Sequence, residues 1–83
     1  MGDGYFMEVK IAIMGTRLKE LRKERKMTQK AMAELLEVSD RHYQAIEAGS
    51  VNIPSLTLRF LADYFDVSAD YLLGRTDNPE VNH

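Results

Sequence analysis

Eighty-three residues with 45% apolar side chains suffice for one compact core and leave little room for a second domain. The absence of cysteine excludes a disulfide framework and a thiolate zinc site, and two histidines do not replace it, so no metal and no cofactor are expected. No apolar run reaches the ~18 residues of a membrane span, and the start lacks the basic-then-apolar layout of a secretory signal. The expectation is a soluble, cytoplasmic protein.

Residues 1–15 come first and read ambiguously. Val9, Ile11 and Ile13 alternate with Glu8, Lys10 and Ala12, which is a strand pattern. Three readings stay open: a strand that pairs with its copy in a second subunit, a backward extension of the first helix, or a disordered leader before Met14. Met7 and Met14 leave the translation start open as well.

The helical signals then follow closely. Thr16 can cap a helix over 16–26, with Leu18 and Leu21 on one face and Arg22 four residues beyond Leu18. Thr28 is a good cap for a short helix over 29–36, in which Met32, Ala33 and Leu36 mark a buried stripe. The tripeptide 37–39 interrupts the pattern. Ser39 can cap a third helix over 40–48, whose Tyr43 and Ile46 lie three apart, and Gly49 ends it. Pro54 breaks the loop 50–54 away from helix, and Ser55 restarts one in which Leu58, Leu61, Ala62 and Phe65 share a face. Ser68 with Asp70 caps a last short helix through Leu73, stopped by Gly74. The fold class is therefore all-α with five helices, carrying either a short N-terminal strand or a helix extension. The chain divides into an extension (1–15), a helical domain (16–75) and a polar, flexible tail (76–83) containing Pro79.

The net charge of −2 hides an asymmetry. Residues 17–30 hold seven basic side chains (Arg17, Lys19, Arg22, Lys23, Arg25, Lys26, Lys30) against Glu20 and Glu24, locally +5. From Arg59 onward, two arginines face Asp63, Asp66, Asp70, Asp77 and Glu80. A basic pole is implied, although a solvated charged helix is the commoner fate of such a run.

The pair of helices 29–36 and 40–48, joined by three residues, must cross steeply, and small Ala33 lets Ile46 approach. With Tyr43 and Ile46 inward, the outer face of the second helix holds Asp40, Arg41, Gln44 and Ala45, where polar side chains can meet base edges in a major groove.

The run from Thr28 to Ser39 (TQKAMAELLEVS), then Tyr43, Ile46-Glu47-Ala48-Gly49, Ile53-Pro54-Ser55, Leu61-Ala62-Asp63-Tyr64-Phe65, Val67-Ser68 and Asp70 to Arg75 (DYLLGR), resembles the lambda repressor/Cro-like helix-turn-helix family. The likeness spans 16–75. It implies a five-helix bundle that binds double-stranded operator DNA as a homodimer and acts as a transcriptional regulator, in the first instance a repressor of the phage or mobile-element type, nucleoid-associated when bound. Carried over position by position, Asp40, Arg41, Gln44 and Ala45 are the base-facing residues, with Arg41 suited to guanine, Gln44 to adenine and Ala45 to a thymine methyl. Asp40 departs from the polar or basic residue expected there, since a carboxylate is repelled by phosphates, although it can accept from cytosine and favours the helix N-terminus. The resemblance places Thr28, Gln29, Lys30, His42, Ser50 and Asn52 along the DNA backbone, Gln29 also bracing the recognition helix. Arg22 and Glu47 match a charged pair tying helix one to the recognition helix. Two departures remain. Glu37 stands where the family usually has glycine, which implies either a turn without a left-handed residue or a strained one. Leu35 is apolar where a solvated lysine is common, exposing an aliphatic side chain suited to an interface.

No nucleophile–base pairing, phosphate-binding glycine loop or metal spacing is visible, so a non-enzyme is expected. The competing reading is a protein-interaction or antitoxin-like helical module whose acidic surface binds a partner.

Overall fold

A computed structural model describes residues 3–81, with side chains described from Glu8 onward. Five helices follow in order: α1 (Asp3–Glu24), α2 (Gln29–Leu36), α3 (Asp40–Glu47), α4 (Ser55–Phe65) and α5 (Ala69–Leu72). Among the described residues there is no strand.

The N-terminal segment takes the helix-extension reading, and Thr16 lies inside α1 instead of capping it. The strand alternation of Val9, Ile11 and Ile13 coexists with a helical stripe. Ile11, Met14, Leu18 and Leu21 recur at three- and four-residue steps, and all four pack in or against the core. A helix satisfies its own backbone groups, whereas a lone strand would leave them unpaired. Gly15, inside α1, costs about 1 kcal/mol of helix propensity relative to alanine. A Cβ there would stand 2.5 Å from the Glu47 carbonyl oxygen and 2.7 Å from that of Ile46, so glycine is what lets α1 close onto the end of α3.

The short helices begin as expected. The hydroxyls of Thr28, Ser39 and Ser68 accept from the amides of Ala31, His42 and Tyr71, each at 3.0 Å. α4 starts without such a bond, after Pro54. All five helices end alike: a residue of positive φ (Lys26, Glu37, Gly49, Asp66, Gly74) is followed by an amide that donates five residues back, as from Val38 to Ala33 at 3.0 Å and Ser50 to Ala45 at 2.9 Å. The turn between α2 and α3 is thus the strained one: Glu37 adopts φ 57°, ψ 42° without being glycine.

Leu18, Met32, Tyr43, Leu61 and Leu72 are the largest fully buried side chains, one from each helix. Ala33 and Ile46 are buried with them. Leu35 departs from its expected exposure: it is half-buried against the core. The apolar exposure falls on its neighbours across a shallow groove, Leu56 at 85% and Phe60 at 44%.

Through residue 81 the expected flexible tail is laid onto the body. The Pro79 carbonyl accepts from the Ser68 amide at 2.9 Å, and Arg17 donates to the carbonyls of Tyr71 and Thr76 while pairing with Asp77 at 2.9 Å. The outer ends of the expected extension and tail, residues 1–2 and 82–83, lie outside the described residues.

Candidate nucleic-acid interface

α3 carries two kinds of surface. Asp40, Arg41, His42 and Gln44 are exposed and Ala45 is half-buried, while Tyr43 and Ile46 point into the core. The eight-residue helix spans about 12 Å, so its outer side chains form one short polar ridge. Asp40 sits in its first turn, where the amide dipoles favour an anion.

The inner end of α3 is held by a cluster around Glu47. Arg22 Nε donates to one carboxylate oxygen at 2.6 Å and Nη2 to the other at 3.1 Å, while Nη1 reaches the Met27 carbonyl at 2.8 Å. Gln29 Nε2 donates to the same carboxylate at 3.1 Å and the Tyr43 hydroxyl at 2.5 Å. The Arg22 and Glu47 side chains are only 10% and 4% exposed, so the pair lies out of water, where a fully bonded charge is tolerated and a stranded one is costly. Burial works against ionisation of Glu47, but hydrogen bonds from Arg22, Tyr43 and Gln29, with the guanidinium charge, outweigh it and hold the carboxyl below its ordinary value. Burial, then the bond to Glu47 and its charge, push the Tyr43 hydroxyl well up, so it stays a donor. The bond to Glu47 raises Arg22, against the opposing effect of burial.

Glu47 thereby ties together α1 through Arg22, α2 through Gln29 and α3 through Tyr43. The Tyr43 hydroxyl went unread in the sequence, where the residue counts as core; its four-residue spacing to Glu47 on one helix is the signal that could have found it.

The remaining candidates surround the outer ridge. Thr28 and Lys30 are exposed at the start of α2, with the Thr28 oxygen already capping the helix, and Gln29 is half-buried on Glu47. Ser50 and Asn52 are exposed in the loop after α3, and the Asn52 carbonyl oxygen accepts from the Ile53 amide at 2.8 Å. Arg41, His42 and Gln44 are not brought into any hydrogen-bonded cluster with these.

The basic run over 17–30 is less available than its sequence suggests. Arg22 is spent on Glu47, Arg17 is spent on the tail and stacks 4.1 Å from the Tyr71 ring centre, and Arg25 lies over Tyr64 and Phe65 at 5.4 and 5.3 Å. Lys19, Lys23, Lys26 and Lys30 stay exposed.

Among the described residues no cluster of histidine, cysteine, aspartate or glutamate could hold a metal, and no helix is long and apolar enough to cross a membrane.

Comparison with known proteins bears on this arrangement directly. A family model described as a helix-turn-helix domain matches residues 15–78. Among curated proteins of Bacillus subtilis (strain 168), the chain is similar to the uncharacterized HTH-type transcriptional regulator YobD, 42% identical over 64 residues, which is 77% of this chain and 57% of that protein. It is similar to the uncharacterized HTH-type transcriptional regulator YqaE, 41% identical over 64 residues (77% and 55%). It is also similar to the HTH-type transcriptional regulator ImmR, 35% identical over 69 residues (83% and 54%). The chain thus spans a little over half the length of these relatives. With a short-turn pair of helices, a buried brace behind the second and a family match over 64 of its 83 residues, the chain belongs to the helix-turn-helix domain family.

Proposed function

We propose that the chain binds double-stranded operator DNA with α3 in the major groove and represses transcription as a homodimer, in the manner of a phage or mobile-element regulator. The observation that carries this reading is the division of α3: an outer ridge of exposed Asp40, Arg41 and Gln44 with half-buried Ala45, on a helix whose far end is fixed by the Glu47 cluster. Fixing the back of a reading helix lowers the ordering cost of binding, so bidentate side chains on its front can discriminate bases. Arg41 reads guanine and Gln44 adenine; Ala45 meets a thymine methyl. Asp40 accepts from cytosine or only supports the helix start. Thr28, Lys30, His42, Ser50 and Asn52 contact the flanking phosphates, together with the outward hydrogen of the Gln29 amide. The relatives named as HTH-type transcriptional regulators support the regulatory role.

One helix of this length reads too few base pairs for useful specificity, which is the reason for a two-fold dimer on half-sites ~34 Å apart. Duplex selection followed by footprinting and a salt titration tests this. The expected result is a pseudo-palindrome bound with affinity that falls steeply with salt, because phosphate contacts release counterions. Binding that ignores sequence and salt would instead favour a protein-interaction module.

A further inference from the structure

The basic run over 17–30 sorts its side chains by type. Its arginines are occupied inside the molecule: Arg17 on the tail, Arg22 on Glu47 and Arg25 over Tyr64 and Phe65. Its lysines are not. Lys19, Lys23 and Lys26 are exposed, and among the described residues their side chains enter no ion pair or hydrogen bond. A planar guanidinium suits fixed internal contacts, whereas an ammonium on a flexible stem is a point charge that suits solvent or a polyanion.

The three lysines also share a strip. Steps of three and four residues return to one side of a helix, so Ala12, Gly15, Lys19, Arg22 and Lys23 follow one another along α1, with Lys26 just past its end. Contacts at both ends of that row fix where it faces. A Cβ on Gly15 would touch the carbonyls of Ile46 and Glu47, Ala12 lies against Gly49, and Arg22 reaches Glu47. Lys19 stands between Gly15 and Arg22, so the strip runs along the end of α3, beside the loop that holds Ser50 and Asn52, and leads to the exposed Lys30 on α2. Glu20 and Glu24 each follow a lysine by one residue, about 100° round the helix, on the side turned away from α3. Helix stability explains only part of this placement. The carbonyl end of α1 favours a cation in its last turn, which accounts for Lys23, but Lys19 lies further in, and like charges four residues apart repel.

We propose that Lys19, Lys23 and Lys26 form a second phosphate-binding strip, which takes the DNA backbone flanking the site read by α3 and carries the contact past the phosphates assigned to α2 and the 50–52 loop. From Lys19 to Lys26 the strip covers about 10 Å, room for roughly three phosphates at about 3.4 Å of axial rise per strand. Ammonium groups on phosphates position a duplex and carry no sequence information, so the strip adds affinity for all duplexes alike. This assignment rests on the proposed DNA reading and extends its footprint along α1.

Fluorescence-anisotropy titrations of the full chain over a salt series test it, on the selected duplex, on a random duplex of equal length and on the selected site trimmed of its flanks. Lys19→Gln with Lys23→Gln should lower the slope of log affinity against log salt by about 2 and weaken the selected and random duplexes equally. Adding Lys26→Gln should remove about one more. Trimming the flanks should cost the wild type that same salt dependence and leave the triple variant unchanged. Lys19→Arg with Lys23→Arg keeps both charges and should bind as the wild type does. Because the three lysines are exposed and unpaired among the described residues, every variant should keep the wild-type urea midpoint. Selective binding by the wild type with a triple-variant slope within about 0.5 of it, or a loss confined to the selected duplex, would overturn the strip and leave the functional reading intact. If the wild type binds duplexes without choosing among them and the lysine variants still lower the slope, the strip stands and the reading role of α3 falls. A wild type that binds no duplex overturns both.

Discussion

The two faces of α3 differ by how many partners each side chain has. On the inner face Glu47 receives bonds from three side chains on three helices, and Arg22 adds a bond to the Met27 carbonyl. On the outer face Arg41 and Gln44 are exposed and enter no such cluster. The first arrangement fixes where the helix lies; the second leaves its reading groups to be satisfied by something else. Substitutions should therefore separate cleanly into those that move stability and those that move recognition.

The largest effect belongs to the buried pair. Removing either partner strands a charge that is almost fully shielded from water, so Arg22→Ala or Glu47→Ala should cost about 3 to 5 kcal/mol in urea unfolding. The double alanine should lose clearly less than the sum of the singles, because the second change removes the group left stranded by the first. Losses additive within about 0.3 kcal/mol would mean that the pair does not interact in solution.

On the outer face the cost should appear only in binding. Arg41→Ala and Gln44→Ala should each lose about 1 to 3 kcal/mol on the selected site and relax the preferred base there. Their stability should move by no more than about 0.5 kcal/mol. Gln29→Ala straddles the two faces: it should lower affinity for all duplexes alike and also cost some stability through Glu47. A selected sequence unchanged in both outer-face variants would show that α3 is not the reader.

The contrast between the faces also explains how far the sequence could be read. Caps at Thr28, Ser39 and Ser68 are legible because a hydroxyl and an amide three residues on are local partners. The outer ridge of α3 is legible from its 3.6-residue period. The joint between faces is only partly so. Arg22 and Glu47 are recognisable through family resemblance, but nothing local marks Arg17 as the clamp of the tail, since its partners lie 54 to 60 residues away. The extension of α1 was hidden for a different reason. Val9, Ile11 and Ile13 serve an alternating pattern, while Ile11 serves the helical stripe with Met14 as well, and the tertiary placement decides between them: Ile11 packs against the core, Ile13 lies against Gly74 and Gly15 meets the carbonyls of Ile46 and Glu47. Lys26 and Asp66 take left-handed φ without any compositional hint, because the bonds that close their helices outweigh their side-chain preference.

Acid should separate the faces without mutation. The Glu47 carboxyl is held below its ordinary value of 4.5 in the folded chain, so the unfolded chain takes up this proton first as pH falls. Its contribution is complete above pH 4.5 and is lost as pH drops through the lowered folded value. Urea midpoints from pH 6 to 3 should fall more steeply for the wild type than for Glu47→Gln, which lacks the titrating group. Parallel curves would place the acid sensitivity elsewhere.

The smallest expected change is a gain, and it lies in the turn that joins the braced helix pair. Glu37 sits at φ 57°, ψ 42°, a region that costs an L-residue roughly 1 to 2 kcal/mol over glycine. Its exposed carboxylate also stands at the end of α2, where the last carbonyls repel an anion. Against this, glycine adds about 0.5 to 1 kcal/mol of backbone entropy to the unfolded chain. Glu37→Gly should therefore stabilise by about 0.5 to 1 kcal/mol, a rise of a few degrees in the thermal midpoint of a domain this size. Lys26→Gly shares the same backbone geometry, with φ 57° after α1, but gives up a cation that is favourable at a helix end, so its gain should be smaller. If Glu37→Gly lowers the midpoint, or gains no more than Lys26→Gly, the charge at the end of α2 is not what distinguishes this turn. Affinity for the selected duplex should stay unchanged in Glu37→Gly, because the substitution relieves the turn without altering the residues on either face of α3.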